Sequence, residues 1–117
     1  MTNFCLPKNV RLLKRSQFLT LSEHGKKVHA DSFIAIVLKG TAQNNRIGIT
    51  VSKKVGNAVE RNRIKRIIRE YLRHNKENIA GPKDINIIAR KGVATLSNEL
   101  IIEKLDKLFI KIALVEL

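Results

Sequence analysis

Apolar positions follow two periods along this chain. Phe18 and Leu21 lie three apart on one face of a predicted short helix running to about His24, with Ser16 as its cap and Gly25 as its stop. From Val28 to Lys39, β-branched and aromatic residues culminate in Phe33-Ile34-Ala35-Ile36-Val37-Leu38. That run is too short for a typical buried helix and apolar on both faces, so it predicts a covered strand. Gly40 to Asn45 reads as a turn. Arg46 to Ser52 reads as the next strand, antiparallel to the first through a hairpin-like connection, with Gly48 permitting a close backbone approach.

After a loop of Lys53 to Asn57, residues 58 to 74 carry the clearest helical pattern, followed by a Gly81-Pro82 break and a strand over Asp84 to Arg90. Strand, helix, strand suggests a crossover unit. Ser97 caps a last helix, whose Ile101, Leu105, Leu108 and Ile112 recur at helical spacing for packing on the sheet; Lys104, Lys107 and Lys111 take another face.

The 117 residues contain no repeat, low-complexity tract or linker, so residues 1–117 are expected to form a single domain. With 44% hydrophobic and 28% charged residues, a folded core is expected. The longest wholly apolar run is Phe33 to Leu38, far short of a membrane span. The first residues resemble neither a signal peptide nor a lipidation site, which places the protein in the cytoplasm with no membrane partner. Cys5 is the one cysteine, which excludes an internal disulfide and a cysteine-cluster zinc site.

Charge changes the picture: 23 Lys and Arg against 10 Asp and Glu leave a formal +13, a field that attracts polyanions. It is concentrated between Lys53 and His74, where eight cations meet only Glu60 and Glu70. At about 100° per residue, Ile64, Ile67, Ile68, Tyr71 and Leu72 form an apolar stripe, and Asn62, Lys65, Arg66, Arg69 and Arg73 gather nearly opposite. Such a run is often only a solvated face. Three details favour a ligand. Arginine outnumbers lysine five to one on this helix, and guanidinium forks match phosphate oxygens. Asn62, between Arg61 and Arg63, suits a sugar hydroxyl or an ordered water. Lys53 and Lys54 precede a helix N-terminus, whose free N–H groups favour anions.

Other chemistries find little support. The loop lacks the Gly-x-x-x-x-Gly-Lys-[Ser/Thr] pattern of a triphosphate cradle. The acids are scattered, whereas a metal-dependent nuclease needs convergent carboxylates. Glu99, Glu103 and Asp106 share one side of the last helix, but lysine neighbours favour solvent-facing pairing, and no protein metal site is assigned there. His24, His29 and His74 have no ligand spacing, and no catalytic residue is assigned to the chain.

The block Ile47-Gly48-Ile49-Thr50-Val51-Ser52-Lys53-Lys54-Val55-Gly56-Asn57-Ala58-Val59-Glu60-Arg61-Asn62-Arg63-Ile64-Lys65-Arg66-Ile67-Ile68-Arg69-Glu70 closely resembles the central block of the bacterial ribonuclease P protein component, with Arg61-Asn62-Arg63 as its hallmark. Arg11-Leu12-Leu13-Lys14, Phe18, Gly25-Lys26, Asp84-Ile85 and Ile88-Ala89-Arg90-Lys91 extend the resemblance over nearly the whole chain.

The resemblance implies an α+β two-layer sandwich, α-β-β-β-α-β-α, with a left-handed crossover helix. It implies a catalytic RNA subunit as partner, precursor tRNA as substrate, removal of the 5′ leader as the reaction, and magnesium held mainly by the RNA. It assigns RNA contact to Lys53, Lys54, Arg61, Asn62, Arg63, Lys65, Arg66, Arg69 and Arg73, and extends it to Arg90 and Lys91. It also implies a leader cleft at Phe18, Ile34 and Ile36. Ser22 and Ile36 stand where relatives often carry aromatics, so weaker leader stacking is expected. A general RNA-binding protein of ribosomal or chaperone type is the alternative, and an autonomous nuclease the remote one.

Overall fold

A computed structural model of the chain describes residues 15–40, 45–75 and 83–115. The readings that concern Cys5, Arg11 to Lys14 and Gly81-Pro82 lie outside the described residues. The elements are α1 (Arg15–His24), β1 (Lys26–Ala30), β2 (Phe33–Lys39), β3 (Arg46–Thr50), α2 (Ala58–Asn75), β4 (Lys83–Ala89), a 3-10 turn (Val93–Thr95) and α3 (Asn98–Ala113).

The sheet order is β1-β2-β4-β3. β2 pairs antiparallel with both β1 and β4, while β3 pairs in parallel with β4, Ile47 opposite Ile85. Two sequence expectations are corrected here. The single strand over Val28 to Lys39 is a hairpin broken at Asp31-Ser32, where Asp31 takes φ 48°, a left-handed conformation that aspartate tolerates better than most side chains. Arg46 to Thr50 is not the hairpin neighbour of β2, because β4 lies between them. The reason is physical: β2, apolar on both faces, and β4, buried on both with Asp84 and Asn86 hydrogen-bonded on its second face, take the two inner positions, whereas the shorter β1 and β3 take the edges. A parallel β3-β4 pair needs a crossover, and α2 supplies it.

One sheet face carries Phe33, Ala35, Val37, Ile47, Ile85, Ile87 and Ala89. These join Ile64, Ile68 and Leu72 of α2 and Ile101, Leu105, Leu108 and Ile112 of α3 in the main core. Each fully buried side chain of this kind contributes about 1.5–3 kcal/mol. The apolar stripe expected on α2 coincides with its buried residues. Tyr71 meets Phe109 edge to face at 5.1 Å, and its hydroxyl donates to Asp106 Oδ1 at 2.6 Å, joining α2 to α3.

The opposite face holds a smaller cluster, Leu21 and Ile36, flanked by Phe18, Leu38 and Ile88. Here α1 lies on the sheet. Gly25 permits the approach: a Cβ there would collide with Ile36 Cγ2 and stand 2.7 Å from the Leu21 carbonyl oxygen. Ser16, expected as the cap, lies inside α1, where its carbonyl accepts from the Thr20 hydroxyl. Ser97 caps α3 as expected, accepting from the Leu100 N–H.

Candidate nucleic-acid interface

The site is built where β3 passes into α2. Val51 and Val55 are buried, and the Val55 N–H donates to the Ser52 carbonyl, so the turn is pinned with Lys53 and Lys54 held outward and exposed. Because β3 and β4 run in parallel, Arg90 and Lys91, also exposed, leave the sheet at the same edge. Four cations thereby collect at the carboxyl end of the parallel pair, the place where open sheets present ligand sites.

The start of α2 corrects one expectation. Asn57 Oδ1 accepts from the Glu60 N–H and Glu60 Oε1 accepts from the Asn57 N–H, both at 2.9 Å, forming a capping box. The helix is therefore closed by its own side chains, and the Glu60 carboxylate weakens the argument for an anion at those amides. Gly56 makes room, since a Cβ there would lie 2.5 Å from Glu60 Oε1.

Along α2 the sequence-predicted cations divide into two groups. Asn62, Arg66 and Arg69 are exposed and Lys65 is half-buried. Among the described residues none of Lys65, Arg66 and Arg69 forms an ion pair. Asn62, Arg66 and Arg69 line a shallow depression with Arg63 and Val59, and no acid borders it. Val59, 78% exposed, is an apolar contact that the helical wheel could have flagged by its place opposite the stripe.

Arg63 and Arg73 are engaged within the chain. Arg63 donates from Nη2 to the Leu96 carbonyl and to Asn98 Oδ1, both at 2.7 Å. Arg73 donates to Glu70, which also meets His74, and the Arg73 hydrogen bond, the largest cause, holds the Glu70 carboxyl below its usual range. Arg61 is half-buried, and its Nε has no hydrogen-bond partner among the described residues. Arg61 and Arg63 thus flank the apolar stripe, with Arg63 also bordering the depression that Arg66 lines.

On the α1 side of the sheet, Phe18 and Ile34 are half-buried, but Ile36 is only 4% exposed. Ile36 is therefore the floor under α1, with Phe18, Leu38 and Ile88 packed around it; Ile34, paired with Ile88, lies two residues earlier on the same face of β2. Strand order adds polar neighbours that the sequence did not signal. Thr50 Oγ1 donates to Asn86 Oδ1 at 2.9 Å, and Arg46 grips Asp84 bidentately at 2.9 and 2.7 Å, which raises the Arg46 pKa.

A family profile described as Ribonuclease P matches residues 6–113. The Ribonuclease P protein component of Desulforapulum autotrophicum is 54% identical over 112 residues, covering 96% of each chain. That of Desulfatibacillum aliphaticivorans is 45% identical over 113 residues, covering 97% of this chain and 96% of its own. Among solved structures, the RNase P protein of Staphylococcus aureus superposes with a TM-score of 0.83 at 36% identity, covering 91% of this chain and 96% of that one. The Thermotoga maritima RNase P protein gives 0.79 at 33% identity, covering 91% and 97%.

Proposed function

Because this chain belongs to the bacterial ribonuclease P protein family, we propose that it binds the catalytic RNA of ribonuclease P and the 5′ leader of precursor tRNA, promoting endonucleolytic removal of that leader. A ribonuclease P protein component has its role within an endoribonuclease complex, together with ribonuclease P RNA. The hydrolytic chemistry is assigned to the RNA.

One observation carries the reading: α2 buries its isoleucine stripe while presenting Asn62, Arg66 and Arg69 to solvent without carboxylate partners. Guanidinium groups that form no ion pair among the described residues are available to phosphates, and their helix is held rigid by the core beneath. Lys53, Lys54, Arg90 and Lys91 extend the cationic track along the sheet edge. The half-buried Phe18 ring offers a base a stacking surface, worth about 1–3 kcal/mol per base.

The described residues do not fit magnesium as a resident ion. Among the described residues no three acidic, histidine or cysteine side chains converge. Asp84 is held by Arg46, Asp106 accepts from Tyr71, and Glu60 closes the helix cap. Magnesium is therefore ascribed to the RNA. No helix among the described residues is long and apolar enough to cross a membrane, and the proposed site of action is the cytoplasm.

Reconstitution tests the proposal. The purified chain alone should leave precursor tRNA intact, and adding it to the catalytic RNA at low magnesium should restore leader removal. Cleavage by the RNA-free protein, or tight binding of ribosomal RNA without stimulation of the catalytic RNA, would overturn it.

A further inference from the structure

We infer that the groove between α2 and α3 receives one unpaired nucleobase of the bound RNA, an inference that rests on the RNA-binding reading of α2. A depression of about 510 Å³ opens there, within the ~300–1,000 Å³ typical of small-molecule sites. Ile67 and Ile102 give it apolar walls. Ile102 is 42% exposed, one of several large aliphatic side chains that α3 leaves facing water, and the one that lines this groove.

Its polar groups match a base edge. Asp106 Oδ1 accepts from the Tyr71 hydroxyl, which leaves Oδ2 as an acceptor for a ring or exocyclic N–H. Asn98 Oδ1 is engaged by Arg63, which leaves its amide NH₂ as a donor for a ring nitrogen or carbonyl. Every base carries both kinds of group, so the groove selects an extruded base without reading sequence strictly. The buried Tyr71 forms part of the lining.

Continuity identifies the occupant. Arg66 lines both this groove and the shallow cationic depression with Asn62 and Arg69. A strand whose phosphates lie on Arg66 and Arg69 therefore passes the mouth of the groove, and an unstacked base beside that phosphate has an apolar slot within reach.

The chain has one tyrosine and no tryptophan, so 3-fluorotyrosine labelling places a single ¹⁹F probe at the groove. The full chain is titrated with a single-stranded RNA hexanucleotide and with an abasic hexanucleotide of equal charge. The inference predicts that both bind, that only the base-bearing strand shifts the ¹⁹F resonance, and that it binds about tenfold tighter. Ile102→Ala should reduce that difference, while Arg66→Ala should weaken both strands. Equal affinities with an unmoved resonance would overturn the nucleobase site while leaving the RNA-binding reading standing. Failure of both strands to bind would overturn that reading and the inference with it.

Discussion

Arg63 ties α2 to the start of α3: its Nε and Nη2 donate to Asn98 Oδ1 at 3.1 and 2.7 Å, and Nη2 also reaches the Leu96 carbonyl at 2.7 Å. Arg66, one turn later, is exposed and unpaired among the described residues. Neighbouring arginines on one helix thus serve different ends. Arg63→Ala should lower stability by about 1–2 kcal/mol, since a carbonyl and an amide lose their donor. Arg66→Ala should stay within about 0.5 kcal/mol of the parent. Urea unfolding midpoints at unchanged m-value measure both; equal stability losses would contradict this division of roles.

The capping box gives a second expectation. Asn57→Ala removes the acceptor for the Glu60 N–H and should cost about 1 kcal/mol, with Asn57→Asp close to neutral. Gly25→Ala should cost about 1–3 kcal/mol through overpacking, because its new methyl group meets the Leu21 carbonyl, which cannot rotate away. Hydrogen exchange should report the Gly25→Ala loss as weakened protection within α1. Unchanged protection there would show that α1 does not depend on this close approach.

Much of this architecture was legible from local pattern. The buried stripe on α2, the Ser97 cap and the core positions of α3 follow from helical spacing, which depends only on residues a few positions apart. Strand order was not legible in that way. Which partner β3 takes is decided by competition for the two inner positions of the sheet, a long-range matter that alternation within Arg46 to Thr50 does not encode. The same limit applies to the candidate site. The wheel separated Arg66 and Arg69 from the apolar stripe, but the capture of Arg63 depends on Asn98, which lies 35 residues further along the chain. Asp31-Ser32 was a missed turn signal, overridden by the apolar residues on either side.

Tyr71 should ionise well above its ordinary value of 10.0, because burial disfavours the phenolate and the bond to Asp106 favours the proton. A group whose folded-state pKa is raised contributes stability that is complete below the unfolded value and lost as pH rises through the folded one. Stability should therefore decline above about pH 10, and Tyr71→Phe should flatten that decline. With one tyrosine in the chain, phenolate absorbance titrates this group alone. A midpoint near the ordinary value would contradict the buried Tyr71–Asp106 link.

Phe18 is expected to act through stacking. Phe18→Ala should weaken leader-bearing precursor tRNA by about 1–3 kcal/mol relative to mature tRNA, with little change in salt dependence. Equilibrium binding of both tRNAs across a salt series measures this. Equal weakening of the two would remove Phe18 from the leader surface.

The central claim is that outward arginines of α2 hold RNA phosphates, and the salt dependence of RNA affinity tests it most directly. For four to six phosphates of a single strand, log affinity against log salt should have a slope of about −3 to −4. The Arg66→Ala, Arg69→Ala double variant should lose about 1.4 of that slope while keeping its fold. An unchanged slope in the folded double variant would contradict the account, because the phosphates would then be held elsewhere.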